Sequence, residues 1–338
     1  MAEFRSHEFL PASMLERITA ARIADPETAW RAAQNRRRRA RIAPSGRLNL
    51  LAADHPARRV TGVGGDSLAM ADRRDYLARI ARVLMCEQVD GVMATMDILE
   101  DLLALDELLR LAGRPALLDG RLLIASFNRG GLAGVSWEMD DPMTGPNAQT
   151  CAEWKLDGAK ILLRLCDDEP DSLKTLAASA RAINETNAMR LPMFLEPLPV
   201  VKTDKGYKVV KEAGALARIV GVASALGDSS RHLWLKLPYC DDYGVVARAT
   251  TLPILLLGGE AVGDATPLLR EIAAGLAAGA NVRGALVGRN VLYPGGEDPL
   301  VVATAVGGII HGEQAAGQAL ETASAARGRD LDRLTCAV

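Results

Sequence analysis

Eight short apolar runs recur along the chain, separated by longer amphipathic stretches, and this alternation limits the folds open to it. The runs are LNLLAADHP (48–56), DGVMATM (90–96), RLLIASFN (121–128), GAKILLRL (158–165), PMFLEPLP (192–199), HLWLKLPYC (232–240), PILLLGGE (253–260) and GALVGRNVLYP (284–294). Between them lie segments of helical periodicity, such as DRRDYLARIARVLMCEQ (72–88) and DATPLLREIAAGLAAGA (264–280). Asp264 is placed to cap the start of the second, which ends near Gly279. Strands alternating with helices build parallel βαβ units. Eight such units in 338 residues match a (β/α)8 barrel, an α/β fold that uses about 250 residues as one domain. A doubly wound sheet is the alternative, but it places a glycine-rich loop after its first strand. Here the first run ends LAADHP, and glycines gather after the seventh and eighth. The predicted organisation is an N-terminal helical extension over 1–45, a barrel over 46–312 and a C-terminal helical tail over 313–338.

Composition excludes several partners. Lys plus Arg total 40 and Asp plus Glu 42, a net charge of −2, so no large basic field exists to hold nucleic acid. No apolar run reaches the ~18 residues of a membrane helix, and MAEFRSHEFL lacks the pattern of a secretory leader. Cys86, Cys151, Cys166, Cys240 and Cys336 form no CxxC pair, which predicts a reduced, cytoplasmic thiol set. Cys240, near a strand end, reads as a small packing side chain. The basic run Arg36–Arg39 reads as part of a helix, forming a solvated face or a subunit contact. Only four histidines occur, His7, His55, His232 and His311, and they are far apart in sequence. A catalytic metal usually takes several histidines, so no metal or other cofactor is expected, and the chemistry falls to lysines and carboxylates. Of the four, only His55, beside Asp54, is placed to reach a substrate.

Alternation along each strand says which side chains enter the barrel. In the sixth run Leu233, Leu235 and Leu237 face the helices, so Trp234 and Lys236 point inward. In the fourth, Ala159, Ile161, Leu163 and Leu165 face outward, and Lys160 and Arg164 inward. In the fifth, Met193 and Leu195 face outward and Phe194 and Glu196 inward, while Asp54 closes the first run. Each inward charge also has a structural reading. Glu196 could simply neutralise a lysine, Asp54 could cap its turn, and Lys160, early in its strand, could lie deep.

An amine attacks a carbonyl only when unprotonated, and a free lysine has a pKa near ~10.4. Burial and a nearby cation, here Lys160 or Arg164, would lower that of Lys236. The resulting iminium draws electrons from the adjacent carbon and lets a carbon–carbon bond break. Glu196 could move the protons if its own pKa were raised toward neutrality. The seventh run ends Gly258-Gly259-Glu260, and the eighth carries Gly288-Arg289-Asn290. Barrels commonly hold phosphate between these two loops, and glycine backbone with an arginine suits that anion.

These residues resemble a known superfamily. LWLKLPYCDDYGVVARATTLPILLLGGE and GALVGRNVLYP are similar to the strand six to strand eight region of the class I, Schiff-base aldolases. That group includes deoxyribose-phosphate, tagatose-bisphosphate and archaeal-type fructose-bisphosphate aldolases. The resemblance covers about residues 45 to 312. It implies Lys236 as the Schiff-base lysine and Gly258, Gly259, Gly288 and Arg289 as phosphate ligands. Asp54-His55 resembles the start of a DHG-like motif, with Pro56 in place of glycine. FLEP resembles a fifth strand of the tagatose-bisphosphate type, which implies proton transfer by Glu196, and Lys160 is similar to a strand-four lysine there. A nearer likeness is to bacterial aldolase-like barrels that accompany inositol-catabolism genes. It implies cleavage of 5-dehydro-2-deoxy-6-phosphogluconate to glycerone phosphate and malonate semialdehyde, with Arg164, Asn128 and Arg129 meeting the carboxylate-bearing half.

The sequence therefore predicts a class I aldolase of a phosphorylated keto sugar or sugar acid, acting as a homo-oligomer. Two alternatives stand beside it. One is another phosphate-binding barrel enzyme using the same lysine, an isomerase or a thiolase-like acyl-transfer enzyme. The other is a non-catalytic sugar-phosphate-binding barrel.

Overall fold

Every run predicted as a strand pairs in parallel with its neighbours in the computed structural model, which describes residues 4–204, 206–261 and 263–335. The strands are β1 (Leu48–Ala53), β2 (Gly91–Ala94), β3 (Leu122–Ser126), β4 (Gly158–Leu165), β5 (Met193–Thr203), β6 (Gly206–Val209), β7 (Leu233–Pro238), β8 (Ile254–Leu257) and β9 (Val282–Val287). All but β6 are parallel barrel strands, in the order β1-β2-β3-β4-β5-β7-β8-β9, and β9 pairs back onto β1 to close the ring. This is a (β/α)8 barrel. The sixth apolar run is thus β7, because a strand not foreseen in the sequence intervenes. β5 continues past the barrel rim and turns back as β6, an antiparallel hairpin pairing Val200 with Val209 and Thr203 with Gly206.

Two apolar clusters separate as strand alternation requires. One lies between strands and helices and includes Leu51, Val92, Leu123, Ile161, Leu163, Leu195, Leu235 and Leu237. The other fills the barrel with Leu48, Leu50, Ala52, Met93, Leu122, Ile124, Phe194, Leu255 and Leu286, with Trp234 packed against it. The rings of Phe194 and Trp234 lie 6.0 Å apart inside the barrel. Asp72 accepts hydrogen bonds from the backbone N–H of Arg74 and Asp75 at the start of Arg73–Leu84. Asp264 accepts one from Thr266. The N-cap of the helix Thr266–Ala278 is Ala265, one residue after the predicted Asp264, and its C-cap is Gly279 as predicted.

Before the barrel, the helices Ser6–Phe9, Ala12–Ala24 and Thr28–Asn35 are followed by an irregular linker. This corrects the reading of Arg36–Arg39 as helical: the last of these helices ends at Asn35. Arg36, Arg38 and Arg39 reach carboxylates and carbonyls at strand N-termini, while Arg37 stays largely in solvent. Buried Arg36 bonds Asp157 at 2.6 Å and the carbonyls of Arg121 and Lys155. Arg38 also pairs with Asp157, and Arg39 with Asp90. Asp90 in turn bonds His311 at 2.9 Å. Ile42 and Ala43 then pack against the interior cluster, so the linker closes the lower end of the barrel.

Removing one partner of a buried pair leaves an uncompensated charge, at a cost of about 3–5 kcal/mol. Arg36→Ala is expected to lose about 3 kcal/mol of unfolding free energy, read as a lower urea midpoint with the slope unchanged. A change below about 0.5 kcal/mol would show the linker to be a passive cover.

Candidate active site

The inward parity of four strands brings four charged side chains into one cluster. Asp54 follows β1, Lys160 lies on β4, Glu196 on β5 and Lys236 on β7. Glu196 lies between the two lysines, with Oε1 3.0 Å from Lys236 Nζ and Oε2 2.7 Å from Lys160 Nζ. Lys160 also lies 3.4 Å from Asp54 Oδ2, which accepts a hydrogen bond from Ser126 Oγ at 2.9 Å and pairs with Arg129. All four are buried, Lys236 being 6% exposed and Lys160 1%.

Burial sets the electrostatics here. It pushes the Lys236 pKa below that of a free lysine; Glu196 opposes the shift, and the Arg129 and Arg289 guanidinium groups reinforce it. Burial and then Arg129 push Lys160 well below the ordinary lysine value. Burial alone would raise Glu196, but the charges of Lys160 and Lys236 outweigh it and hold the carboxyl well below its usual range. The condition of a Glu196 raised toward neutrality is therefore not met: the carboxyl is held ionised. The cations that depress Lys236 are Arg129 and Arg289, rather than the expected Lys160 or Arg164.

The loops after β8 and β9 lie beside this cluster. Gly258, Gly259, Gly288 and Arg289 line a cavity of about 1230 Å³ with Asp54, Glu196 and Lys236. The Gly258 carbonyl accepts a hydrogen bond from Asn290 Nδ2 at 2.5 Å, which ties the two loops together. Gly288 has no room for a side chain: a Cβ would lie 2.5 Å from the Ala52 carbonyl oxygen and 2.6 Å from His55 Cε1. Arg289 Nε and His55 Nδ1 are both buried without a hydrogen-bond partner. Burial and then Arg289 push His55 down to about 3, so its imidazole is neutral.

The opposite wall is rich in arginine. Arg129 lines the cavity, and burial lowers its pKa to about 10. Arg164 lines it too, but its guanidinium bonds Glu138 at 2.5 Å and the Gly131 carbonyl. Asn128 has a different role from the one expected. It is completely buried, and its side-chain amide donates to the Leu162 carbonyl and accepts from the Leu162 N–H, so it stitches the end of β3 to β4 instead of meeting ligand. Three features escaped the sequence reading. Arg58 shares Glu138 with Arg164, and the β5–β6 hairpin roofs the cavity with Tyr207, Lys208 and Val209. The alternation in VVKTDKGYKVV around Asp-Lys-Gly was a signal for the hairpin. No local pattern marked Arg58 or Glu138, which meet from separate loops.

Among the described residues, no group of three or more His, Cys, Asp or Glu side chains is arranged to hold a metal ion. None of their helices is long and apolar enough to cross a membrane. Cys86, Cys151, Cys166 and Cys240 are buried and unpaired, and Cys336 lies outside the described residues. The arrangement can present an amine of reduced basicity to a carbonyl, with an ionised carboxylate beside it and unpartnered donors two loops away.

Reductive methylation with formaldehyde, read at Lys236 by peptide mass, should reach its midpoint below the ordinary 10.5. Glu196 favours the charged amine, so Glu196→Gln should move the midpoint lower, and Arg289→Met should move it up. A wild-type midpoint at or above 10.5 would contradict this electrostatic account. Gly288→Ala is expected to lose about 1–3 kcal/mol of stability through overpacking, seen as a lower Tm.

Comparison with known proteins places this geometry. The sequence model of the Cgl0159-like family matches residues 46–308. Cgl0159 from Corynebacterium glutamicum is 34% identical, with 90% of this chain and 99% of that one covered, at a TM-score of 0.84. A Schiff-base-forming fructose-1,6-bisphosphate aldolase shares 20% identity over 83% of this chain and 99% of that one, at a TM-score of 0.55. An archaeal fructose 1,6-bisphosphate aldolase shares 21% over 84% and 99%, also at 0.55. At such identities the two aldolases show a shared fold. No curated protein matches the chain. By the extent of the family match and its likeness to Cgl0159, the chain belongs to the Cgl0159-like family of (β/α)8 barrels.

Proposed function

We propose that the protein is a class I aldolase that cleaves a phosphorylated keto sugar or sugar acid through a Schiff base on Lys236. The observation that carries this reading is a buried lysine of lowered basicity, 3.0 Å from a carboxylate shared with a second lysine, lining a large cavity at the C-terminal end of a barrel. A binding site needs no such nucleophile. The fold shared with Schiff-base-forming aldolases supports the reading.

In this mechanism neutral Lys236 Nζ adds to the substrate ketone, and the carbinolamine loses water to give an iminium. Glu196, held ionised, takes a proton from the Lys236 nitrogen during addition. A base then removes the proton of the hydroxyl on the carbon β to the iminium. The bond between that carbon and the α carbon then breaks, its electron pair forms the enamine between the α carbon and the former iminium carbon, and the β carbon leaves as an aldehyde. Lys160, bridging Glu196 and Asp54, supplies the route by which the proton returns to the enamine carbon. Water hydrolyses the resulting iminium and frees Lys236. The phosphate end of the substrate sits on Gly258, Gly259, Gly288 and Arg289.

A specific candidate is 5-dehydro-2-deoxy-6-phosphogluconate. Its glycerone phosphate half would remain on Lys236, and its carboxylate-bearing half would face Arg129 and Arg164. Arg129, buried on the cavity wall opposite the glycine loops, supports that orientation.

Borohydride added with glycerone phosphate should leave a reduced adduct on the Lys236 peptide. Lys236→Ala should abolish trapping and lower cleavage by roughly 10³-fold or more, while a chelator leaves the rate unchanged. Persistent trapping or turnover in Lys236→Ala would overturn the assignment.

A further inference from the structure

Lysine is scarce in this chain. Only eight of its 40 Lys and Arg residues are lysine, and four of these, Lys202, Lys205, Lys208 and Lys211, fall within ten residues at the hairpin. Lys205 lies outside the described residues. Lys202 is engaged by Glu169 at 2.5 Å. Lys208 and Lys211 line the active-site cavity, where no catalytic role has been given to either.

Lys211 has a defined position. It follows the hairpin, which is fixed by the Val200–Val209 pairing and by a hydrogen bond from the Val210 N–H to the Pro199 carbonyl at 2.9 Å. Its Nζ lies 3.7 Å from where a Cβ on Gly259 would stand. Gly259 has φ +67°, a left-handed conformation that favours glycine, so the loop there offers bare backbone. Four carboxylates, Glu212, Glu260, Asp264 and Glu271, also line the cavity; Lys211 acts on Glu271 through its charge, but no ion pair within 4.0 Å joins Lys211 to any of them among the described residues. These carboxylates would repel a dianion unless a cation offset them. Arg289 supplies one such cation, with a buried Nε that lacks a partner. A compact ammonium on a flexible stem supplies another, and it can follow a phosphate as it settles on the glycine loop.

We propose that Lys211, carried by the hairpin, is a phosphate-binding and specificity residue that completes the subsite formed by Gly258, Gly259 and Arg289. The proposal rests on the reading of these loops as a phosphate site. It makes the hairpin the element that selects phosphorylated ketones over their unphosphorylated counterparts.

Two measurements test it. The first compares half-saturating glycerone phosphate and dihydroxyacetone in borohydride trapping on Lys236. Lys211→Gln should raise the value for glycerone phosphate by roughly 10-fold or more, the weight of one hydrogen bond to a charged group, and leave dihydroxyacetone unchanged. Lys211→Arg should restore most of the loss. Equal effects on both ketones, or no effect on either, would overturn the proposal. The second is a calorimetric titration with inorganic phosphate, which needs no Schiff base. If neither ketone is trapped, the aldolase reading fails. The titration still decides Lys211, because weaker phosphate binding in Lys211→Gln supports the proposal and unchanged binding overturns it.

Discussion

A strand closed into a barrel gives each side chain two destinations, the helix layer or the barrel interior, and the interior is small. That constraint organises this protein. Apolar residues of one parity face the helices, and those of the other fill the lower barrel up to Phe194 and Trp234. Any charge on the inward parity above that level must be neutralised within the barrel, because solvation is largely lost there. Lys160, Lys236, Glu196 and Asp54 pair among themselves, Arg129 joins through Asp54, and the excess of cations is met by the lowered pKa values of the lysines. The burial that forces these charges to pair also lowers the basicity of Lys236.

The balance within this cluster is uneven, and the unevenness gives it chemistry. Glu196 faces two lysines and stays ionised, while each lysine also feels burial and a further guanidinium group. The lysines are therefore less basic than free lysine while remaining hydrogen-bonded. Around them, Glu138 gathers Arg58 and Arg164 and so anchors the long loop after β3. The glycine loops after β8 and β9 leave backbone bare where a substrate can approach.

Two segments outside the alternating pattern finish the barrel at its ends. The linker after the N-terminal helices closes the lower end through Arg36, Arg38 and Arg39, which bond Asp157 and Asp90 beside the strand N-termini. At the upper end β5 extends beyond the barrel and returns as β6, placing lysines and Tyr207 over the cavity. A barrel with open ends would leave its interior cluster in contact with water. These segments confine solvent to the side where the site lies.

Much of this was legible in the sequence because it depends on local periodicity. The eight runs, the outward Leu233, Leu235 and Leu237, and the inward Lys236, Lys160 and Glu196 follow from a repeat of two, which persists whatever a strand packs against. The glycines after the seventh and eighth runs were visible for the same reason. What depends on distant residues was not. Proton transfer by Glu196 was tied to a pKa raised toward neutrality, and whether that condition held was not visible locally; closure of β4 and β7 on either side of β5 sets two lysines against it and holds it low. Asn128 shares the inward parity of β3, yet proximity to Leu162 turned it into a strand-to-strand stitch. Arg36–Arg39 lost its helical reading to carboxylates more than fifty residues away. Sequence periodicity determined the fold and the identity of the inward side chains. The tertiary structure decided their charge states and partners, because Coulomb energy and desolvation depend on distances that no single segment contains.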